Sequence, residues 1–119
     1  ISGFGLAIHL SNLIKRYGEN LGADINLEKI NLYKGAYEAI NKNIISSLSN
    51  SNKYYLKDKL EIKKNKNYLE NILFDPQTAG GFLFIYNGNV KKILQDFSDI
   101  KVPCSVIGYI NKKNKIRVL

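Results

Sequence analysis

The sequence predicts an α/β (α+β) fold in which helices pack on a layered sheet. Apolar residues at three- and four-residue spacing, typical of amphipathic helices, alternate along the chain with short extended apolar runs. A composition of 45% hydrophobic and 24% charged residues is that of a globular protein. From residue 81 to residue 110 the pattern runs strand, helix, strand, as in a βαβ or split βαβ unit.

The N-terminal half predicts two helices separated by a strand. Residues 4–17 have the apolar spacing of an amphipathic helix, which Gly18 can end. Residues 23–27 alternate apolar and polar side chains, which indicates a half-buried strand. A second helix begins at Gly35. Its predicted buried side carries Ala36, Tyr37, Ala39, Ile40, Ile44 and Ile45.

The middle of the chain is more polar. Serine and asparagine side chains compete for the backbone in residues 46–52, which predicts a flexible or ligand-facing loop. Residues 54–66 have no clean period, and their lysines predict an exposed surface. Residues 68–73 predict a short helix that leads into the next turn.

The C-terminal third returns to an alternation of strand and helix. Residues 81–86 are apolar at nearly every position, which predicts a strand covered on both faces. Residues 90–97 have helical spacing, and Asn87 or Asn89 can cap that helix. Residues 103–110 predict another strand. A turn and a closing strand complete the chain, at residues 111–115 and 116–119.

A compact polar turn, residues 75–81 (DPQTAGG), precedes the apolar run. Asp75 and Thr78 can cap backbone N–H groups. Gly80 and Gly81 allow a positive φ or the close approach of another group. A loop with free N–H groups and little side-chain bulk can cradle an anion, and a tight structural turn has the same composition. Both interpretations stay open from the residues alone.

The start of the first predicted helix is a second place for an anion. Ser2 or Gly3 can start this helix, and the Gly3-Phe4-Gly5 sequence leaves backbone N–H groups accessible at the positive end of the helix dipole. Glycine placed at a helix start for packing alone is an equal alternative. His9, the sole histidine, is predicted to be packed and hydrogen-bonded within the helix.

The net charge of +8 raises the question of nucleic acid. Lysine supplies 16 of the 18 basic residues, in scattered clusters, whereas direct base readout favours arginine. Lysine, asparagine, isoleucine and tyrosine, all abundant here, can be encoded by AT-only codons. Genomic base composition therefore explains the excess of lysine more simply than a nucleic-acid surface does, and we expect no nucleic-acid partner.

A length of 119 residues suits a single domain, residues 1–119. The sequence has no signal-peptide pattern and no apolar run near the ~20 residues that span a bilayer, so we expect no membrane partner. The lone cysteine, Cys104, predicts a buried structural thiol and a reducing, cytoplasmic location. Because the chain begins at Ile1 inside a motif, we expect it to be a piece of a longer protein.

Two segments resemble one known family. Residues 74–83 (FDPQTAGGFL) resemble the DPQTSGGLL signature of selenophosphate synthetase (selenide, water dikinase), and residues 1–10 (ISGFGLAIHL) resemble its DVTGFGLLGHL segment without the aspartate. Residues 106–108 (VIG) resemble the closing strand of that family. The motifs stand in the family's order, and the likeness covers essentially the whole chain.

The resemblance implies the C-terminal domain of a two-domain protein of the aminoimidazole-ribonucleotide-synthetase-like (AIR-synthetase-like) superfamily, with partial ferredoxin-like character. Family members use ATP and Mg²⁺ to convert selenide into selenophosphate, releasing AMP and phosphate, and they work as homodimers. The family's catalytic Cys or selenocysteine and most of its metal-binding aspartates lie on the N-terminal domain. We therefore expect no catalytic and no metal-binding residue in this chain, which alone should be inactive.

The site that the resemblance implies is a phosphate-facing wall that helps to close the nucleotide site against the N-terminal domain. Its expected cofactor-binding residues are Ser2, Gly3, Phe4, Gly5, Gln77, Thr78, Gly80 and Gly81. The sequence departs from the family pattern at Ser2, Ile8 and Ala79, which replace threonine, glycine and serine. Of a family segment with glycines and arginines before an asparagine, only Asn52 matches.

Two other interpretations stay open. One is a domain of another ATP-using superfamily member, such as aminoimidazole ribonucleotide synthetase or thiamine-monophosphate kinase. The other is a basic nucleic-acid-binding module.

Overall fold

The computed structural model describes residues 1–62 and 68–119, so part of the lysine-rich stretch 57–66 lies outside the described residues. The α-helices are α1 (Gly5–Tyr17), α2 (Ala36–Asn41), α3 (Ser47–Tyr55) and α4 (Val90–Asp99). The strands are β1 (Gly22–Ile25), β2 (Leu60–Ile62), β3 (Gly108–Asn111) and β4 (Ile116–Val118). Short 3₁₀-helices cover Leu27–Lys29 and Tyr68–Phe74. The predicted mixed α/β class is confirmed.

The strands form a mixed sheet in the order β2-β4-β1-β3. The strands β2, β4 and β1 run parallel to one another, and β3 pairs with β1 in the antiparallel direction. Because β1 lies between β3 and β4, the predicted turn at residues 111–115 does not close a hairpin.

The core lies between one face of this sheet and α1. The sheet contributes its buried alternate side chains, and α1 contributes the apolar face that the sequence predicted. These residues are Leu6, Ala7, Leu10, Ile14, Ala23, Ile25, Ile116 and Val118. Leu73 and Phe74, at the end of the second 3₁₀-helix, are 0% and 1% exposed and complete the core. The end of that 3₁₀-helix is therefore fixed against α1, directly before the glycine-containing turn.

The helix α1 confirms the prediction for residues 4–17. Phe4 occupies the N-cap position, and the N–H of Gly18 donates to Ile14 O at 3.2 Å where the helix ends. Ile8, which stands where the resembled family has glycine, is 5% exposed and packs into the core. Its bulk is thus accommodated in the core.

The other face of the sheet carries an ion pair between neighbouring strands. Asp24 on β1 lies opposite Arg117 on β4. The guanidinium donates from Nε to Oδ1 at 2.6 Å and from Nη2 to Oδ2 at 2.7 Å. These hydrogen bonds hold the pKa of Asp24 below its ordinary value and raise that of Arg117.

The predicted loop at residues 46–52 is wrong, because α3 occupies most of it. Ser46 caps the helix by accepting a hydrogen bond from the Leu48 N–H at 3.3 Å. Two polar side chains of α3, Ser49 and Asn52, are buried at 3% and 8% exposure. Tertiary contacts with α1 and the second 3₁₀-helix override the weak helix propensity of this stretch.

The predicted second helix is shorter than expected. The helix α2 ends at Asn41, and Asn43 adopts a left-handed backbone conformation with a φ of 53°. Ile44 and Ile45 therefore fall outside the helix. None of the α2 residues is buried, so the predicted buried side is also wrong: Ala36, Ala39 and Ile40 are half-buried, and Tyr37 is exposed.

The predicted βαβ unit does not form. Residues 81–86 make no strand within the described chain, and Phe82 is 100% exposed, so the expectation that both faces are covered is wrong. The predicted strand at 103–110 is limited to β3, which begins at Gly108. An apolar run indicates burial but does not specify the strand that must pair with it.

Several C-terminal predictions are confirmed. The helix α4 forms, and Asn89 caps it by accepting from the Lys92 N–H at 3.1 Å. Phe97 of α4 stacks on Phe84 with ring centroids 6.0 Å apart. The 3₁₀-helix Tyr68–Phe74 and β4 also lie where the sequence placed a helix and a strand. The Cys104 thiol is half-buried, less than predicted.

Within residues 1–62 and 68–119, no helix has the length and apolar character needed to cross a bilayer.

A substitution at Gly5 tests the contact between α1 and the 3₁₀-helix Tyr68–Phe74. Its φ is +72°, and an added Cβ would lie 2.8 Å from Leu73 O and 2.9 Å from the Phe74 carbonyl carbon. We expect Gly5→Ala to reduce the free energy of unfolding by about 1–3 kcal/mol, because backbone strain adds to steric overlap. Urea titration measures this loss. The matched control is Gly3→Ala, whose Cβ meets nothing within 4 Å, and an equal loss in both variants would contradict the prediction.

The pair of Asp24 and Arg117 predicts a pH dependence of stability. The folded-state pKa of Asp24 is lowered, so the pair contributes stability above the unfolded-state value of about 3.9, and this contribution is lost as pH falls through the folded-state value. We expect Asp24→Asn to be less stable than wild type at pH 7, with the difference shrinking below about pH 4. Thermal melts across this range measure it. Asp96→Asn, on the exposed surface of α4, is the control; a pH-independent difference for Asp24→Asn would contradict the assignment.

Candidate functional site

The two motif segments lie side by side in the structure. The Ile1 nitrogen donates to Gly81 O at 2.8 Å, and the Gly80 N–H donates back to Ile1 O at 3.1 Å. The Gln77 N–H donates to Ser2 O at 3.2 Å. Residues 1–2 and 77–81 thus form one surface, although about 75 residues of sequence separate them. We call the segments 1–5 and 75–81 the paired loops.

Glycine permits the close contact between the paired loops. A Cβ on Gly80 would lie 2.8 Å from Ile1 O and 3.0 Å from Ile1 Cβ, closer than a side chain tolerates. Gly80 therefore has the close-approach role that the sequence left open, and its φ lies outside the left-handed region.

The outer side of the paired loops is open. A Cβ on Gly3 or Gly81 would meet nothing within 4 Å, and Phe4 and Thr78 are exposed. For the N–H groups of Gly3, Phe4, Thr78 and Gly81, the described part of the chain supplies no acceptor. The paired loops therefore offer a surface of backbone donors that lacks side-chain bulk at Gly3 and Gly81 and carries the exposed Phe4 and Thr78 side chains.

Other backbone donors in the same loops are already used. The N–H groups of Gln77 and Gly80 donate between the loops, and the Gly5 N–H donates to Ser2 O at 3.0 Å. Those three groups set the geometry of the loops, and a ligand must use the remaining donors.

The electrostatics of the paired loops favour an anion on the α1 side. No acidic residue occupies the first turn of α1, so no carboxylate there offsets the positive end of the helix dipole. Lys53 lies nearby on α3, with Nζ 5.8 Å from the centroid of the Phe74 ring. Both features attract negative charge.

Asp75 is the acidic residue of the turn, and partial burial raises the pKa of its carboxyl. Neither its side chain nor that of Thr78 caps an N–H group of the described residues, so that prediction is wrong. No three His, Cys, Asp or Glu side chains cluster as metal ligands in the part of the chain that is described. The donors of the paired loops therefore suit phosphate oxygens, and a Mg²⁺ ion would need carboxylates from elsewhere.

His9 is hydrogen-bonded within the site, as predicted. Its Nε2 accepts from the Ser2 N–H at 3.1 Å and lies 2.9 Å from Ser2 Oγ. The Phe4 ring meets the imidazole edge-on at 6.2 Å between centroids. His9 thus fixes the backbone of Ser2, seven residues before its own position.

Asn52 of α3 joins the two loops from behind. Its Nδ2 donates to Gly3 O at 2.9 Å and to Phe74 O at 3.0 Å. The sequence placed this residue in a flexible loop, so its bridging role was missed. The signal available was its match to the asparagine of the resembled family, which does not disclose what the side chain touches.

All eight predicted site residues belong to the paired loops. Six lie on or beside the open surface, whereas Gly5 and Gly80 face the protein and allow close packing. The open-surface residues are Ser2, Gly3, Phe4, Gln77, Thr78 and Gly81.

The chain is similar to several proteins named selenide, water dikinase. The chain is 32% identical over 121 residues to a protein of Carboxydothermus hydrogenoformans named selenide, water dikinase, covering 99% of this chain and 34% of that relative. A Treponema denticola protein of the same name is 24% identical over 121 residues, covering 97% of this chain and 34% of the relative. A third, from Caldanaerobacter subterraneus, is 34% identical over 83 residues, covering 70% of this chain and 24% of the relative.

The resemblance to the selenide, water dikinase family is confirmed. The chain spans about a third of the length of these relatives. No family model matches it. The similarity to selenide, water dikinases extends over both paired loops and the strands and helices between them, since two of the alignments cover nearly the entire chain.

Proposed function

We propose that this chain is the C-terminal domain of an ATP-dependent selenophosphate synthetase. The reaction of the whole enzyme consumes ATP, selenide and water and yields selenophosphate, AMP and phosphate. The observation that carries the proposal is the pairing of residues 1–2 with residues 77–81, which creates one donor surface from the two segments that resemble the family. The similarity to proteins named selenide, water dikinase supports the choice of substrate.

In this proposal the paired loops bind the phosphate chain of ATP. The N–H groups of Gly3 and Phe4 donate to phosphate oxygens at the start of α1, where the helix dipole adds attraction. The Thr78 hydroxyl and the Gly81 N–H donate from the opposite loop. The paired loops thus orient the phosphates and exclude water on one side of the nucleotide.

The chemical step belongs to groups outside this chain. Mg²⁺, when bound with ATP, neutralises phosphate charge in this class of reaction. Its carboxylate ligands, the nucleophile and the rest of the nucleotide site are assigned to the N-terminal domain. The homodimer and the cytoplasmic location stay predictions.

The first test is the reaction of the intact protein that contains this chain. We expect AMP to form from ATP only when selenide is present, with selenophosphate as the second product, detected by ³¹P NMR. ATP turnover that is independent of selenide but requires a nucleotide-precursor or thiamine-phosphate substrate would instead favour another ATP-using superfamily member.

The second test concerns the paired loops. In the intact protein we expect Thr78→Ala and Gly80→Ala each to raise the KM for ATP by about tenfold, which corresponds to ~1.4 kcal/mol of binding energy. Thr78→Ala removes a donor, and the added methyl of Gly80→Ala displaces Ile1. Ser98→Ala, near the end of α4, is the control. Unchanged ATP affinity and turnover in both variants would remove the loops from the nucleotide site.

A further inference from the structure

Asn52 occupies a position between the two loops that no other described side chain shares. It lies on α3, 49 residues from Gly3 and 22 residues from Phe74 in sequence, and is 8% exposed. One nitrogen atom, Nδ2, donates to the backbone oxygens of both. Gly3 O lies at the start of α1, and Phe74 O lies directly before the turn 75–81.

The chemistry of the two partners determines which way the amide faces. Both are carbonyl oxygens, which only accept, so the NH₂ group must point at them. An amide nitrogen carries two hydrogens, and each oxygen receives one. The bond to Phe74 O is buried, so water does not readily replace it, and an unsatisfied carbonyl there costs free energy; the bond to Gly3 O is partly buried.

Asn52 lies on a helix that is both capped and packed. The helix α3 is capped by Ser46 and packs against both α1 and the 3₁₀-helix Tyr68–Phe74. Lateral movement of either loop therefore stretches one of the two Asn52 hydrogen bonds. The bonds from Gln77 and Gly80 join the outer parts of the same loops. The Asn52 hydrogen bonds join Gly3 to Phe74, on the side of the loops next to α3.

We propose that Asn52 is a positioning residue that sets the separation of the paired loops and thereby the affinity of the protein for the phosphate chain of ATP. The nucleotide part of this proposal rests on the proposed function. Asn52 does not touch the nucleotide; it acts through the backbone of Gly3 and Phe74.

The replacement Asn52→Asp provides a sharp test, because it keeps the shape but exchanges the donor for an acceptor. An ionised carboxylate would face two carbonyl oxygens and repel both. Burial and these neighbours favour the protonated form and raise the pKa of the introduced carboxyl. Below that pKa the group regains one donor and one of the two bonds.

In the intact protein at pH 8, we expect Asn52→Asp to raise the KM for ATP by about tenfold with less than a threefold change in kcat. The ratio of the variant KM to the wild-type KM should fall as pH decreases toward 6. Asn52→Ala lacks any donor, so its ratio should be raised at every pH. Ser51→Ala, an exposed neighbour on α3, is the matched control.

Hydrogen exchange of the same proteins supplies a readout that is independent of activity. We expect Asn52→Asp to increase amide exchange in residues 1–5 and 75–81, where the Gly5, Gln77 and Gly80 N–H groups are hydrogen-bonded, and to leave α4 unchanged. If Asn52→Asp does not fold, hydrogen exchange is measured on Asn52→Ala instead, with the same expected increase in residues 1–5 and 75–81.

The outcomes separate the two proposals. An active wild-type protein with ATP KM values for the Asn52 variants equal to that of Ser51→Ala would overturn the positioning role. Loss of thermal stability with KM unchanged would overturn it as well. If the wild-type protein has no selenide-dependent ATP turnover, the proposed function fails, and unchanged exchange in the paired loops would then overturn the role of Asn52.

Discussion

The contact of two distant backbone segments is the constraint on which the candidate site depends. Residues 1–5 and 74–81 approach closely enough that a Cβ at Gly5 or Gly80 would overlap backbone atoms of the other segment. The burial of Leu73 and Phe74 against α1 brings the segments together. Hydrogen bonds along the contact, each contributing roughly 1 kcal/mol net, then fix their register rather than supply the bulk of the stability.

The same contact explains why a surface with free donors can exist. A helix start and a turn both leave N–H groups without intrasegment partners. Here the Gln77 and Gly80 donors join the two loops and the Gly5 donor bonds within the first loop, whereas the Gly3, Phe4, Thr78 and Gly81 donors have no acceptor among the described residues. The bonds within and between the loops hold the remaining donors in a fixed arrangement before a ligand binds. Such preorganisation reduces the free-energy cost of ordering the loops on binding.

The fold beneath the site was only partly predictable. Amphipathic spacing correctly located α1 and α4, because a helix with one apolar face has a local signature. The prediction of a strand at residues 81–86 was wrong for the opposite reason. A strand must pair with another strand, and an apolar run in the sequence does not indicate which one. The helix α3 was missed because its serines and asparagines disfavour a helix locally, while its cap and buried contacts stabilise it.

The sequence by itself determined the mixed α/β class, the family resemblance and the two segments that carry it. These depend on residue type and order, which are local and directly visible. Only the tertiary structure decided that the segments are neighbours, which of their N–H groups bond to described residues, and that Asn52 bridges them. The physical reason is that a hydrogen bond across 49 residues depends on where folding places both partners. The sequence alone predicts a loop at Asn52, and its role is visible only from the two carbonyl oxygens that its side chain contacts.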